Sequence, residues 1–195
     1  MRNSRYFFIA LFSIIIACWT ADLEALEAES VAITREYLRK EFREAQKGKK
    51  NTKALLKLIE TRLPADSEEY PAIVLSYYGA TKGLEAKFSF NPAQKVSGLS
   101  LALKLLDKAV DKDPDDLEVR FVRFATLSHL PPFFGVGEKR LQDVNALYLS
   151  LVRKDYARVD LKTQLEMIEF LLRNGKLTKQ QRSSLGNLRK ELLEK

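Results

Sequence analysis

The chain has 195 residues, of which 46% are hydrophobic and 30% are charged, so it is long enough for one compact domain and too short for two ordinary ones. The formal net charge is +7, and removing the two arginines of the first twenty residues leaves +5, a mild excess that is not the charge pattern of a nucleic-acid-binding protein. Glycine and proline are sparse and sit at segment ends, which excludes a disordered or low-complexity chain.

The N-terminus has the layout of an export leader. Arg2 and Arg5 precede the uncharged apolar segment 6–17, as the charged start of a secretory signal precedes its apolar core. This segment is shorter than the roughly 20 residues that a membrane-spanning helix requires. We therefore predict that residues 1–21 are a leader and that residues 22–195 form a single exported domain.

Cys18, the only cysteine of the chain, directly follows the apolar core. Residues 15–18, Ile-Ile-Ala-Cys, resemble the lipobox of bacterial lipoproteins, in which the cysteine thiol accepts the lipid. The resemblance implies a lipid on Cys18 that holds the protein at a membrane of the bacterial envelope, facing the periplasm or the surface. Ordinary cleavage after Ala21 is the alternative, but it places the large Trp19 where a small side chain is expected. The mature domain has no cysteine, which excludes disulfides and thiol catalysis there.

Apolar residues recur with helical spacing through the rest of the chain, and no long stretch alternates as a strand would. Residues 22–47 keep a helical register that Gly48 ends. Further helices are predicted at 53–62, 67–86, 92–111, 116–129, 138–153, 160–173 and 179–194. Because the connections are short, we predict an all-α fold, an irregular antiparallel bundle of about seven helices.

Polar caps mark where these helices begin and end. Asn51 and Thr52 are predicted to cap the first of the listed helices, and Asp66 with Glu69 to form a capping box for the second. Further caps are Asn91 with Pro92, Asp115 with Asp116, the C-terminal pair Asn174 and Gly175, and Thr178 with Gln181.

Residues 102–114, ALKLLDKAVDKDP, resemble the second half of a tetratricopeptide repeat. The small residues of the repeat correspond to Ala102 and Ala109, its large apolar residue to Leu106 and its last proline to Pro114. The resemblance implies tetratricopeptide-like helical hairpins, in which a preceding helix approaches the two alanines closely. It covers 13 residues, and no second copy follows at the 34-residue period of the repeat, so a plain amphipathic helix is the alternative.

A wider segment, residues 70–145, resembles small bacterial envelope proteins. The shared features are an Asn-Pro helix start, the repeat-like helix, an Arg-Phe-x-x-Arg-Phe sequence and a loop with proline, phenylalanine and glycine. This resemblance implies a fold and carries no activity with it.

His129, the single histidine, gives little support to catalysis. The adjacent Ser128 points away from it on a helix, so we expect His129 to act as a capping or packing residue. The acidic turn 111–116 lacks the glycine and the distal glutamate of a calcium loop. We predict no catalytic residue, no metal site and no cofactor, and hence no enzyme. A cell-wall-acting enzyme with a carboxylate pair is the alternative.

Arg120 and Arg123 lie three residues apart on one face of the helix that follows the acidic turn. The other faces of that helix carry Phe121 and Phe124, which we predict to be core residues. Buried guanidinium groups require acceptors. A core network with Glu85 or with the acidic turn is the favoured interpretation, and a pocket for an anionic ligand or a peptide carboxylate is the other.

Four aromatic residues complete the set of binding candidates. Phe133 and Phe134, in the loop PPFFGVG, form either an exposed recognition loop or, as we expect, a pair folded back over the end of the bundle. Tyr77 and Tyr78 are expected in the core rather than along a groove. The predicted function is a protein–protein interaction or scaffolding module whose partner is an envelope protein or peptide and not a nucleic acid.

Overall fold

The computed structural model describes residues 35–63, 66–155 and 158–194, so the predicted leader and Cys18 lie outside the described residues. All regular structure in these ranges is helical, which confirms the predicted all-α fold. No helix found there is both long and apolar enough to cross a membrane. The eight α-helices of these ranges agree with the predicted bundle of about seven; they are residues 35–45 (α1), Lys49–Arg62 (α2), Ala72–Lys87 (α3), Pro92–Lys112 (α4), Leu117–Ser128 (α5), Gly137–Val152 (α6), Leu161–Asn174 (α7) and Lys179–Leu193 (α8).

The chain divides into two compact units, Met1–Arg39 and Lys40–Lys195. Of the first unit the structure describes residues 35–39, which are helical. In the second unit, α3 packs against α2, α4 and α5, while α8 packs against α6 and α7. Helix α5 contacts α3, α4, α6 and α7. It is therefore the central helix of this unit, as the two apolar faces of its sequence predicted.

The predicted caps of α2 are wrong. The helix begins at Lys49, so Asn51 and Thr52 lie inside it rather than before it. The Asn51 side chain donates a hydrogen bond to the Glu44 carbonyl at 3.1 Å, and the Thr52 hydroxyl donates to the Ala45 carbonyl at 2.9 Å. Both side chains therefore satisfy carbonyl groups at the end of α1 instead of N–H groups at the start of α2.

The helix predicted from residue 67 is interrupted. Ser67–Glu69 form a single turn of 3₁₀-helix, in which the Asp66 side chain accepts a hydrogen bond from a backbone N–H at 2.8 Å. Pro71 disfavours a helical conformation at the preceding Tyr70, whose backbone is extended. Helix α3 therefore begins directly after Pro71, and the predicted capping box is wrong.

The remaining N-terminal caps are confirmed. The Asn91 side chain accepts hydrogen bonds from two N–H groups in the first turn of α4, and Pro92 occupies the first helical position. The Asp116 side chain does the same for α5. Thr178 and Gln181 form the predicted reciprocal capping box at the start of α8. These three helices begin where their local sequence indicates.

Helices α3 and α4 approach each other closely at small residues. A Cβ atom placed on Gly79 of α3 would lie 3.0 Å from the Leu105 Cβ and 3.2 Å from the Leu106 backbone nitrogen. On α4, Ala102 and Ala109 are buried. These contacts belong to one helical hairpin, and the likeness to a tetratricopeptide repeat stays a prediction.

Gly79→Ala is expected to destabilise the domain. The added methyl group must displace Leu105 or the α4 backbone, and such overpacking costs about 1–3 kcal/mol against the roughly 1 kcal/mol that alanine gains over glycine in a helix. Gly186 on α8 is the control, because an added Cβ there would meet no described atom within 4 Å apart from its own helix backbone. Gly186→Ala should raise the free energy of unfolding by up to about 1 kcal/mol. Urea denaturation measures both changes, and an equal gain for the two variants would show that α3 and α4 separate without cost.

Candidate functional site

The first candidate site is an ion-pair network between α5 and α6. The carboxylate of Asp143 on α6 is fully buried, with a side-chain exposure of 0%. Arg123 of α5 donates hydrogen bonds to both of its oxygens, from Nε to Oδ2 at 2.9 Å and from Nη2 to Oδ1 at 2.7 Å. Arg120, three residues earlier, donates from Nη1 to Oδ1 at 3.1 Å. Bidentate pairing of this kind is among the strong hydrogen-bonded contacts in proteins.

Asp107 on α4 extends this network to a third helix. Its carboxylate accepts hydrogen bonds from Arg123 Nη1 at 3.0 Å and from Lys139 Nζ at 2.5 Å. Burial acts to lower the pKa of Arg123, but the hydrogen bonds and charges of Asp143 and Asp107 outweigh it and raise that pKa above its ordinary value. The guanidinium group therefore stays charged and joins α4, α5 and α6.

The partners predicted for the two arginines are correct in part: the acidic turn supplies one acceptor, and Glu85 supplies none of the bonds described. Glu85 lies 3.6 Å from Lys82 of its own helix. The turn 111–116 contributes a backbone carbonyl, that of Pro114, which accepts a hydrogen bond from Arg120 Nε at 2.7 Å. Side chains on the second turn of α5 reach across to the helices packed beside it, so their carboxylate acceptors lie on α4 and α6. The geometry is that of a core network, which was the favoured interpretation.

The second candidate site is the connection between α5 and α6, residues 131–135, which we call the aromatic loop. Pro132–Phe134 form a 3₁₀ turn, closed by two backbone hydrogen bonds of 3.1 and 3.0 Å. Gly135 follows with a φ of 67°, in the left-handed region that glycine adopts without strain. Two consecutive prolines, the two hydrogen bonds and this glycine define the backbone of the loop.

The rings of Phe133 and Phe134 stack on each other, with centroids 4.8 Å apart and an interplanar angle of 30°. Phe134 is half-buried, whereas Phe133 is 82% exposed. The expectation that the pair folds back over the bundle is therefore wrong for Phe133. The stacked pair therefore leaves Phe134 partly covered and Phe133 in solvent.

The residues on either side of the aromatic loop are packed against the rest of the domain. Val136, directly after the loop, is buried. Before the loop, the ring of His129 packs edge-on against Phe170 with centroids 6.2 Å apart, in line with its predicted packing role. Arg123 and Asp143 join the two helices that the loop connects. The exposed ring is thus presented by a packed scaffold.

The two tyrosines face different partners. Tyr77 is buried, as expected, and its hydroxyl donates a hydrogen bond to Glu118 Oε1 at 2.7 Å. Tyr78 is half-buried and donates to Glu60 Oε1 at 2.9 Å, an oxygen that also accepts from Lys82 Nζ at 3.0 Å. Burial and the hydrogen bond to Glu60 raise the pKa of Tyr78. Burial also acts to raise the pKa of Glu60, but the hydrogen bonds from Lys82 and Tyr78 outweigh it and lower that pKa.

A small cleft opens beside the start of α6. Its volume is about 40 Å³, and its lining includes Phe124, Leu141 and Val144 together with Arg140 and Lys176. Pockets for drug-sized ligands have volumes of about 300–1,000 Å³, so this cleft has room for water molecules rather than for such a ligand. Comparisons of the chain with protein-family models, with curated proteins and with solved structures found no match.

Proposed function

We propose that this protein is an exported, lipid-anchored interaction module of the bacterial envelope, and that the aromatic loop is the surface it presents to an envelope protein or peptide. The observation that carries the proposal is the 82% exposed ring of Phe133, stacked on Phe134 at a fixed turn. Large aromatic residues contribute much of the binding energy at protein interfaces, where they fill pockets on the partner.

The backbone of the aromatic loop suits this role. A flexible loop loses conformational freedom when it binds, and that loss weakens binding. Here the prolines fix two φ angles, the 3₁₀ turn is closed by hydrogen bonds, and the ion pair of Arg123 with Asp143 joins the helices on either side. Phe133 is therefore held near one position before a partner arrives.

The location of the module rests on the N-terminal sequence. The charged start, the apolar segment 6–17 and the lipobox-like residues 15–18 support export followed by lipid attachment at Cys18. A single acyl chain binds a membrane only marginally, so a stable anchor requires a second chain or a second membrane contact. A domain held at the membrane in this way meets envelope proteins, and its mild positive charge does not favour nucleic acid over them.

Phe133→Ala is expected to weaken partner binding without changing the fold. Truncating an interface hot spot costs at least about 2 kcal/mol, which corresponds to a loss of roughly thirtyfold in affinity. A photo-crosslinking phenylalanine analogue at position 133 of the full chain, expressed in cells, should give one dominant cross-linked protein. Phe133→Ala should reduce recovery of that same protein from envelope extracts.

The matched control for this experiment is Phe90, which is 93% exposed on a different loop. The same photo-reactive analogue at position 90 should not cross-link the protein found at position 133, and Phe90→Ala should leave its recovery unchanged. Equal cross-linking from both positions, or unchanged recovery with Phe133→Ala, would contradict the assignment of the aromatic loop as the binding surface.

Lipid attachment is tested separately by labelling cells with a fatty acid. The wild-type chain should incorporate the label, and Cys18→Ser should incorporate none, because the thiol is the proposed acyl acceptor. Ala21→Leu serves as the control, since it obstructs cleavage at the alternative position and leaves Cys18 in place. Equal labelling of the wild type and Cys18→Ser would exclude Cys18 as the site of the lipid.

A further inference from the structure

Exposed lysines lie where α2 begins, α3 ends and α4 begins, on segments that meet at an exposed phenylalanine. Phe90, in the connection between α3 and α4, is 93% exposed. The Lys49 ammonium at the start of α2 lies 5.4 Å from the centroid of its ring, which brings the two segments together. We call this surface the basic–aromatic patch; it consists of Phe90, Lys49, Lys50, Lys53, Lys87 and Lys95, all of them exposed.

The lysines of the basic–aromatic patch differ from others in the same unit. Within the described ranges, none of its five ammonium groups forms a salt bridge with a carboxylate, whereas the lysines at positions 47, 82, 108, 139 and 154 each pair with a glutamate or an aspartate. Charge that no neighbouring carboxylate neutralises is available to an external anion. The five lysines therefore carry positive charge that no carboxylate of the described residues neutralises, and one of them, Lys49, lies over the exposed ring of Phe90.

The phenylalanine has a defined position in this patch. The Ser89 hydroxyl accepts a hydrogen bond from the Asn91 N–H at 3.2 Å and contacts the Gln94 side-chain oxygen at 3.0 Å. The Asn91 side chain caps α4 by accepting from the Ala93 N–H at 2.9 Å. These bonds fix the turn on both sides of Phe90. The ring therefore stays exposed because of the turn geometry.

We infer that the basic–aromatic patch docks on the surface of an anionic phospholipid bilayer, with the lysines among the headgroups and the ring of Phe90 at the boundary of the acyl chains. Exposed aromatic and apolar side chains surrounded by lysines are the features by which protein surfaces bind anionic membranes. A groove for single-stranded nucleic acid instead lines several aromatic rings along a basic track. Here Phe90 is the exposed ring, whereas Phe88, over which Lys87 lies at 5.7 Å from the ring centroid, is half-buried, so the membrane is the partner that fits.

This inference is independent of the partner proposed for the aromatic loop. It also differs from the lipid on Cys18, because it concerns how the folded domain contacts the bilayer. A lipid chain alone would leave the domain free to rotate at the end of its tether. Docking through the patch would hold it against the membrane and direct its other surfaces outward.

The test places a fluorescent reporter at Phe90 in the full chain. Trp19, the only tryptophan of the sequence, is first changed to phenylalanine, and Phe90→Trp then supplies the single indole. The protein is reconstituted through its own leader into vesicles of phosphatidylcholine alone or of phosphatidylcholine with phosphatidylglycerol. The leader with Arg2 and Arg5 is the same in all variants, so the lysine variants below assign a difference between the vesicles to the folded domain. We expect a blue-shifted emission and quenching by brominated acyl chains in the anionic vesicles, both reversed by high salt.

Lysine substitution identifies the groups responsible. Each lysine near an anionic surface is expected to strengthen docking about fivefold, so removing three should weaken it by roughly a hundredfold and abolish the blue shift. The variant is Lys49→Gln, Lys50→Gln and Lys53→Gln combined. Its control, with the same change of net charge, is Lys162→Gln, Lys179→Gln and Lys190→Gln, which should keep the signal. Circular dichroism verifies that both stay helical.

Four results would overturn the inference. The first is the same emission and quenching in neutral and anionic vesicles. The second is a signal that survives in the patch variant as it does in the control. The third is an equal blue shift when a single-stranded oligonucleotide is added to the protein in neutral vesicles, which would assign the patch to nucleic acid. Phe133→Trp in the same background should show no difference between the two vesicle types, so a difference there would also contradict docking through this surface.

Discussion

Asp143→Ala is expected to destabilise the domain by about 3–5 kcal/mol, because it leaves the guanidinium of Arg123 buried without its main partner. Asp143 is itself fully buried and accepts three hydrogen bonds from Arg120 and Arg123. The ion pair as a whole contributes less than this figure, since desolvation of both charges opposes their attraction. The large expected loss of stability therefore reflects the cost of leaving the Arg123 charge buried without Asp143. Chemical denaturation at neutral pH measures this change in the free energy of unfolding.

Asp107→Ala is the matched control for this prediction. Asp107 also binds Arg123, but its side chain is 28% exposed and Arg123 keeps its two bonds to Asp143 when Asp107 is removed. A partly exposed pair of this kind contributes about 1 kcal/mol or less. Losses of equal size for the two aspartates would show that burial of Asp143 is not the cause.

The double variant Arg123→Met with Asp143→Leu distinguishes the cost of one buried charge without its partner from the net contribution of the ion pair. Each single variant leaves a buried charge that has lost its main partner, since Asp143 keeps only Arg120 and Arg123 keeps only Asp107. The double variant removes both buried charges and leaves the partly exposed Arg120 bound to the Pro114 carbonyl, so its loss should be smaller than that of either single variant. Arg123→Met should also cost more than Arg120→Met, because the side chain of Arg120 is the more exposed of the two. If both arginine variants kept wild-type stability while the partner was lost, the arginines would be the binding site instead.

Helix boundaries were predictable where they depend on neighbouring residues. Asn91, Asp116 and Thr178 cap the helices that follow them because each side-chain oxygen reaches N–H groups two or three residues away. Asn51 and Thr52 have the same chemistry, yet they donate to carbonyls at the end of the preceding helix. Which of these roles a short polar side chain takes depends on where the previous helix ends, and the sequence does not state that.

The partner of the arginines could not be predicted from spacing. Asp143 follows Arg123 by 20 residues and lies on the next helix, so their meeting depends on how α5 and α6 pack. One local signal was present, because Asp143 stands beside Val144 and in register with Leu147 on the apolar face of its helix. An acid on a buried face requires a cation, and Arg120 and Arg123 were the cations on the preceding buried helix.

The exposure of Phe133 was also beyond sequence reasoning. Its neighbour Phe134 has the same side chain, and no residue between Pro131 and Gly135 distinguishes the ring that packs from the one that does not. The difference appears only in the folded structure, in which the two rings stack and Phe134 is half-buried while Phe133 is exposed. The prolines predicted a break in the helix, and tertiary packing decided which ring faces solvent.

Phe124→Ala is expected to lower the free energy of unfolding by about 3–5 kcal/mol, which corresponds to a decrease of roughly 10 °C in the melting temperature of a domain of this size. The Phe124 side chain is fully buried in the core that α5 to α8 share. Its ring packs edge-on against Phe170 with centroids 5.6 Å apart. Removing it leaves a cavity that the helices around it can fill only in part, and that residual cavity adds to the lost transfer free energy.

Phe121 and Phe133 are the controls that test whether burial of the Phe124 ring causes the loss of stability. Phe121 was predicted to be a core residue equal to Phe124, but it is half-buried, although its ring lies at the same 5.6 Å from Phe170. Phe121→Ala should therefore cost about 1–2 kcal/mol, because only part of its surface leaves water on folding. Phe133→Ala removes an exposed ring and should change the melting temperature by less than the error of the measurement. In thermal unfolding, the decrease in melting temperature should be largest for Phe124→Ala, smaller for Phe121→Ala and smallest for Phe133→Ala. A decrease for Phe133→Ala as large as that for Phe124→Ala would show that the aromatic loop belongs to the core and is not free to bind a partner.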